Sequence, residues 1–249
     1  MNRTDRLFFV RPLVLVLPAL LLGCSDSSDN HGGSTPPGPV CTVAAPEALR
    51  SCIGDVGSAI RTCYRDADGP CDENDPDIET ALAGLQGAVE SACADGELLS
   101  LSVDAAVGRL QNACRSQADS IAWRTFGGPQ GAVWPGADDE ARACLQSAHE
   151  TVAGFVGQTL AAADDCLMAE ACDGTALSAG RQGAAEEAVA AVEEACPALP
   201  DLIAVDPETY VSYADDQVDC TLATVYGDTG DLALNCGPSN VDTVPARGE

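Results

Sequence analysis

The sequence predicts an all-α fold built from two duplicated three-helix units, each a helical hairpin followed by a third helix and each stapled by disulfides. The stretch from Cys41 to Cys63 is as long as the stretch from Cys71 to Cys93. Equal arms around a short turn indicate an antiparallel hairpin with a disulfide at each end. Nearly the same spacing recurs at Cys144, Cys166, Cys172 and Cys196. Runs of alternating β-branched residues are scarce, so few strands are expected.

The first unit covers residues 41–126. Its first helix is expected to begin at Pro46, because a proline in the first turn is followed by an acidic residue. The turn at residues 66–70 should end that helix. Asp75 and Ser102 are expected to cap the second and third helices. Apolar residues at three- and four-residue intervals should make one face of each helix apolar, and these faces should pack together into a shared core.

The boundary between the units is expected at residues 127–137, where glycines and prolines interrupt the helical pattern. The second unit covers residues 138–236, and a polar tail follows at residues 237–249. Its helices are expected from about Asp138 to Asp165, from about Ser178 to Ala195, and after a cap at Asp206. Because the two units align on their cysteines, the pattern is interpreted as an internal duplication.

The N-terminus predicts export and lipid attachment. Residues 1–23 combine a basic start with a short apolar run, as a signal peptide does. The segment ending at Cys24 resembles the bacterial lipobox, in which the cysteine is acylated and becomes the first residue of the mature chain. Ser25 favours the outer membrane, by resemblance to enterobacterial lipoproteins. The alternatives to a lipoprotein signal are an uncleaved membrane anchor and a plain secretory signal. Residues 24–40 are predicted to be a flexible linker.

The composition excludes some classes of partner. Twelve arginines and no lysine stand against 39 acidic residues, and the net charge is -27. Such a chain repels nucleic acid, so no nucleic-acid partner is expected. Aromatic residues make up only 4% of the sequence, so the core is expected to be thin and rich in small side chains.

The cysteine count predicts a disulfide framework. Setting Cys24 aside from the 13 cysteines leaves an even number, as expected for disulfides in an exported chain. The two hairpins pair Cys41 with Cys93, Cys63 with Cys71, Cys144 with Cys196, and Cys166 with Cys172. The third helix starts beside the Cys41 end, which places Cys114 level with Cys52 and predicts a bond between them. Cys220 is then expected to pair with Cys236.

No metal or cofactor is predicted, because the cysteines form no CxxC pair and are not interleaved with histidines. The acid-rich loop of residues 66–77 leaves an irregular Ca2+ site open as an alternative. A standard EF-hand is excluded, since placing Gly69 at the required glycine puts Tyr64 where the first acidic ligand belongs. The competing interpretation of this loop is a stapled turn followed by a helix cap.

No catalytic residue is predicted. His149 is interpreted as a partly exposed structural histidine in mid-helix, and the nucleophile motif G-x-S-x-G is absent from the sequence. Adjacent acidic pairs are interpreted as solvated surface, because consecutive helix residues do not face each other. These pairs are Asp138-Asp139, Asp164-Asp165 and Asp215-Asp216.

Trp123, Phe126 and Trp134 form an aromatic group around the boundary between the units. One interpretation is a contact loop for a protein or a glycan. The other, which is favoured, is that the three side chains fill the seam between the two units.

Four segments carry a family resemblance: WRTFGGP at residues 123–129, ARACL at 141–145, LIAVDPETYV at 202–211 and LALNCGP at 232–238. Together they resemble a family of exported deltaproteobacterial proteins rich in cysteine-stapled helices, over roughly residues 41–238. The resemblance implies the stapled helical fold and brings no activity with it. Many members of that family are rich in lysine, so no function based on charge is transferred.

These observations predict a non-enzymatic, disulfide-rich lipoprotein of the cell envelope, placed at the outer membrane and facing the periplasm or the cell surface. It is expected to act as a structural or macromolecule-binding scaffold. The expected partners are the membrane, through the lipid anchor, and an envelope or extracellular protein. The alternatives are a secreted hydrolase and a protein that binds Ca2+ or a small ligand.

Overall fold

The computed structural model describes residues 39–226, except 73, 94–97, 99–100, 128–131 and 170–171. Within these residues the chain is α-helical and has no strand; Leu98 and Leu101 form an isolated antiparallel bridge. The all-α prediction is confirmed. The predicted signal peptide, the lipidation site Cys24 and the polar tail lie outside the described residues.

Seven α-helices and one short 3-10 helix make up the described part of the chain. They are α1 (Pro39–Ala67), α2 (Pro76–Ala92), α3 (Val103–Phe126), the 3-10 helix (Trp134–Gly136), α4 (Asp139–Met168), α5 (Gly174–Ala195), α6 (Leu199–Ile203) and α7 (Pro207–Tyr226).

Side-chain caps begin several of these helices where the sequence predicts them. The Asp75 carboxylate accepts hydrogen bonds from the backbone N–H groups of the first turn of α2. Ser102 caps α3 and Asp138 caps α4 in the same way. Asp206 accepts from the backbone N–H of Thr209 at 2.8 Å. Each cap satisfies N–H groups that have no partner inside the helix.

The predicted start of the first helix at Pro46 is wrong. Helix α1 begins at Pro39, within the stretch predicted as linker, and Pro46 lies inside it. Cys41 and Ala45 are buried in the core, and Cys41 is bonded to Cys93. The bond and the buried side chains hold this extra length in place, although a proline inside a helix removes one backbone hydrogen bond.

The second unit also differs from its prediction. Helix α5 begins at Gly174 and not near Ser178, because Asp173 accepts hydrogen bonds from the backbone N–H groups of Thr175 and Ala176. The short helix α6 has no counterpart in the prediction, and it ends at Ala204, which has a φ of 57°. These are local capping effects that periodicity alone does not reveal.

Five disulfides lie among the described residues, and they are the five pairs that the spacing predicts there. They join Cys41 to Cys93, Cys52 to Cys114, Cys63 to Cys71, Cys144 to Cys196, and Cys166 to Cys172. Cys220 is also disulfide-bonded. Its predicted partner Cys236 lies outside the described residues, so that pair stays a prediction.

The two predicted three-helix units share one core. The described residues fall within a single compact unit, and the buried side chains of their helices belong to one continuous cluster. Helix α1 packs against α2, α3 and α4, while α3 and α4 both pack against α7. The helices that define each predicted unit therefore also contact the helices of the other.

Replacing Cys52 and Cys114 together by alanine is expected to lower the free energy of unfolding by about 4 kcal/mol, because their bond closes a loop of 62 residues. Replacing Cys63 and Cys71 together should cost about 2.5 kcal/mol, since that loop has only 8 residues. Guanidinium unfolding of the oxidised proteins measures both losses. A larger loss for the short loop would contradict the expected dependence of stability on loop length.

Candidate functional site

An aromatic cluster, defined as Tyr64, Phe126, Trp134 and His149, joins α1, α3 and α4. The Phe126 ring stacks on Tyr64, with centroids 4.1 Å apart, and on His149, at 5.3 Å. Trp134 meets both Tyr64 and Phe126 edge-on at 5.5 Å. Edge-on and offset-stacked rings are the favoured arrangements for such pairs. Phe126 and Trp134 thus fill the seam, and the contact-loop interpretation is wrong for these two.

Glycine at position 127 makes the turn into this cluster. Gly127 ends α3 with a φ of 95°, a left-handed conformation that side chains disfavour. A Cβ atom there would lie 2.5 Å from the backbone nitrogen of Val133. The sharp turn brings Trp134 back against Phe126.

His149 is completely buried, so the prediction of a partly exposed histidine is wrong. Its exposed fraction is 0%, and neither ring nitrogen has a hydrogen-bond partner in the described structure. Burial, together with a smaller effect of the nearby charge of Arg61, lowers the pKa of the imidazole to about 3. The ring is therefore neutral at physiological pH and acts as a flat packing element against Phe126.

A polar clasp, defined as Asp68, Trp134 and Arg142, closes the same seam at the end of α1. The Trp134 indole N–H donates to Asp68 Oδ1 at 2.9 Å, and Arg142 Nη2 lies 2.9 Å from the same oxygen. The Arg142 guanidinium stands over the Trp134 ring, 5.1 Å from its centroid. Asp68 has a φ of 61°, which turns its side chain out of the helix end toward α4.

Three described carboxylates of the acid-rich loop at residues 66–77 make structural contacts. Asp75 caps α2, Asp66 pairs with Arg65, and Asp68 belongs to the polar clasp. Among the described residues, the one group with metal-ligand spacing is Cys63, Cys71 and Asp75. Its two sulfurs are bonded to each other, so they are not thiolate ligands. The loop therefore fits the stapled turn and helix cap better than a Ca2+ site.

Two of the acidic pairs contain structural carboxylates, so the prediction of a solvated surface is wrong for Asp164 and Asp215. The Asp164 side chain is only 14% exposed and lies 3.6 Å from Arg50. It accepts a hydrogen bond from the Tyr226 hydroxyl at 2.9 Å. Burial is the main cause that raises the pKa of Asp164 to about 6. These contacts connect α1, α4 and α7.

Arg181 fastens α5 to α7. It forms an ion pair with Asp215 and a second one with Asp219, whose Oδ1 lies 2.5 Å from Nη1. Nη2 also donates to the Asp215 carbonyl oxygen at 2.5 Å. The planar guanidinium makes several contacts at once, which a lysine would not reproduce.

Polar contacts between α3 and α7 hold the remaining long-range interface. The hydroxyl oxygens of Thr125 and Tyr210 lie 2.5 Å apart, and both residues are buried. Arg124 donates to the Tyr213 carbonyl oxygen at 3.0 Å and stands 5.0 Å from the centroid of the Tyr213 ring. Buried polar groups that bond each other in this way fix one arrangement of the helices.

An open groove of about 550 Å3, called here the Trp123 groove, lies between α1, the α1–α2 turn, α2 and α3. Its polar and aromatic lining residues are Tyr64, Asp72, Asn74, Arg115, Asp119 and Trp123. Trp123 is 37% exposed, unlike the other two aromatic residues of the predicted group. Trp123 therefore lies at the surface, while Phe126 and Trp134 belong to the core.

Burial and mutual charge shift the ionisable groups of the Trp123 groove. Burial raises the pKa of Asp119, and the charge of Arg115 works against this. Burial, together with a smaller effect of the charge of Asp119, raises the pKa of Tyr64 to about 12. Tyr64 and Asp119 therefore lie close enough to interact, although they come from different helices.

The sequence predicts Trp123 as a candidate contact residue but does not identify Arg115, Asp119 or Tyr64. One signal was available, because Arg115, Asp119 and Trp123 follow one another at intervals of four residues. Such spacing places them on one face of a helix. The contribution of Tyr64 comes from α1 and leaves no trace in the sequence of α3.

Comparisons with protein-family models, curated proteins and solved structures found no match to this chain. The resemblance described above therefore stays a prediction.

Replacing His149 by leucine is expected to flatten the pH dependence of stability between about pH 6.5 and pH 3. The unfolded histidine has a pKa of 6.5 and the folded one about 3, so the unfolded state binds more protons in this window. The free energy of unfolding should therefore fall as the pH falls, by up to about 1.4 kcal/mol per pH unit. Urea unfolding at several pH values measures this slope.

Asp164→Asn is the matched control with the opposite sign. The folded carboxyl has a pKa of about 6, against 3.8 for an aspartate in the unfolded chain, so the folded state binds more protons between these values. Its contribution to the free energy of unfolding is lost as the pH rises through this window. An unchanged slope in the His149 variant would contradict the neutral, buried histidine.

Proposed function

We propose that the protein is an exported, lipid-anchored helical scaffold of the cell envelope that acts by contact with another macromolecule and not by catalysis. The observation that carries this proposal is the disulfide framework. Its five described bonds close both long helical hairpins and tie α3 to α1. Disulfides of this number persist in oxidising compartments and fix the relative positions of the helices they join.

The chemistry of the interior supports contact over catalysis. His149, on which a histidine-dependent hydrolase would rely, is sealed in the core and neutral. The cysteines of the described residues are bonded, and Asp164 and Asp215 serve contacts between helices. These groups stabilise the helix packing, so they are poorly suited to exchange protons with a substrate.

Membrane attachment is proposed to depend on Cys24, for which the lipobox-like sequence is the support. None of the helices in the described part of the chain is both long enough and apolar enough to cross a bilayer. Acyl chains on Cys24 would hold the protein at a membrane surface, and residues 25–38 would connect them to α1.

The duplication is also a proposal. It is supported by the similar hairpins α1–α2 and α4–α5, each closed by a bond that spans 52 residues and by a second bond near the turn. An internal duplication would explain why one chain carries two disulfide-closed hairpins of similar length.

Globomycin, which blocks lipoprotein processing, is expected to cause a larger precursor to accumulate in cells that make the chain. Replacing Cys24 by serine should move the protein out of the membrane fraction, because the acylated residue is lost. Fractionation and immunoblotting measure both effects. Unchanged processing in globomycin together with unchanged membrane association of the variant would contradict the lipid anchor.

A photo-crosslinking residue in place of Trp123 is expected to give a discrete adduct with an envelope macromolecule in intact cells. The same residue in place of Glu187, which is exposed on α5, is the matched control and should give no such band. Immunoblotting after irradiation compares the two positions. Equal adducts at both positions, or none at Trp123, would contradict a contact surface at the Trp123 groove.

A further inference from the structure

We propose that the Trp123 groove binds an organic cation, an ammonium or guanidinium group carried on an apolar stem. The inference deepens the proposed function and rests on it, because it names the chemistry of the group that the scaffold contacts. It stands on the arrangement of Asp119, Trp123 and Tyr64 around one open groove.

The groove combines residues from two helices that are held firmly in place. Asp119 and Trp123 lie on one face of α3, and Tyr64 faces them from α1. The Cys52–Cys114 disulfide joins these two helices, and the Tyr64 ring is stacked on Phe126. The walls are therefore preorganised, which lowers the entropy lost when a ligand binds.

Asp119 is the residue that we expect to pair with the charged group of the ligand. Its side chain is partly buried, and it has no hydrogen-bond or ion-pair partner among the residues that the structure describes. A partly buried carboxylate without a partner loses hydration and gains little in return. A positively charged ligand would supply the missing partner and form a charge-assisted hydrogen bond.

Arg115 does not already fill this role. Its Nη2 atom is 2.5 Å from Glu79 Oε1, so its charge is paired with a carboxylate of α2. Asp72, in the turn between α1 and α2, is a further acidic lining residue. The groove therefore keeps a negative balance, which agrees in sign with the net charge of -27 and attracts cations from a distance.

The walls favour an organic cation over a metal ion. Asp119 and Asp72 belong to no group of three ligands with metal-binding spacing among the described residues. The apolar and aromatic lining includes Ile60 and Ala122, both of which are buried, and the exposed indole of Trp123. An aliphatic stem packs on this indole, and its aromatic face attracts the charged head group.

Two sources offer this chemistry, a free alkylamine and the side chain of lysine or arginine in a partner polypeptide. The test uses the full chain, oxidised and purified in detergent. Titration calorimetry compares n-hexylammonium with n-hexanol, its neutral counterpart. A second comparison uses the peptide Gly-Lys-Gly with blocked ends and the same peptide with norleucine in place of lysine.

The charged member of each pair is expected to bind at least about tenfold more tightly than the neutral one, because only the charged member pairs with the carboxylate. The indole N–H resonance of Trp123 should shift during the titration. Tighter binding of the peptide would identify a polypeptide side chain as the source, and tighter binding of hexylammonium a free amine. Equal binding of charged and neutral probes, or binding of neither, would overturn the inference.

Asp119→Asn should weaken binding of the charged probes by about tenfold. The matched control is Asp104→Asn, which removes a carboxylate from the same helix at its first turn, away from the groove. Trp123→Leu keeps an apolar wall and should also weaken binding, because the aromatic face is lost. Equal affinities of the Asp119 and Asp104 variants would overturn the proposal.

These experiments distinguish a failure of the cation site from a failure of the proposed envelope function. A specific crosslink at position 123 without any binding of the cationic probes would overturn this inference alone. Binding of the cationic probes without a crosslink or an effect of globomycin would overturn the proposed envelope function and leave the cation site in place.

Discussion

The stack of Tyr64, Phe126 and His149 is the contact on which the arrangement of the helices depends. It lies where α1, α3 and α4 meet, and it joins the hairpins that the disulfides close separately. Disulfides hold each hairpin together, but among the described bonds none crosses from α1–α3 to α4–α5. Packing at the seam therefore decides how the hairpins dock. Large rings are effective there because each buries more area than the aliphatic or cysteine side chains at most other core positions.

Packing in this seam explains why His149 is fully buried and uncharged. A buried imidazole without hydrogen bonds is costly, and the cost appears in its strongly lowered pKa. The flat ring nevertheless fills the space between Phe126 and Gly57, where a Cβ atom would lie 3.8 Å from the imidazole. The disulfides stabilise the protein by restricting the unfolded chain, so the fold tolerates this penalty.

The same ring system positions the proposed cation site. Tyr64 packs on Phe126 inside the seam and lines the Trp123 groove on its other side. Many interior and half-buried polar groups have partners within the fold, including Asp68 with Arg142 and Asp164 with Tyr226. Asp119 differs from these because it forms no hydrogen bond or ion pair with a described residue, although the charge of Arg115 acts on it. A carboxylate in this condition beside the exposed Trp123 ring is what supports the proposed cation site.

The sequence by itself determined most of the helices, several caps and five disulfides, because cysteine spacing along a helix and capping residues are local properties. It did not determine α6 or the starts of α1 and α5. Asp75 and Ser102 act where the pattern places them. Only the tertiary structure decided that His149 is buried, that Asp68 reaches Trp134, and that Trp123 stays exposed while Phe126 does not. These outcomes depend on which helix faces meet across long separations in sequence. Side-chain periodicity shows that a face is apolar, but it does not show which other face covers it.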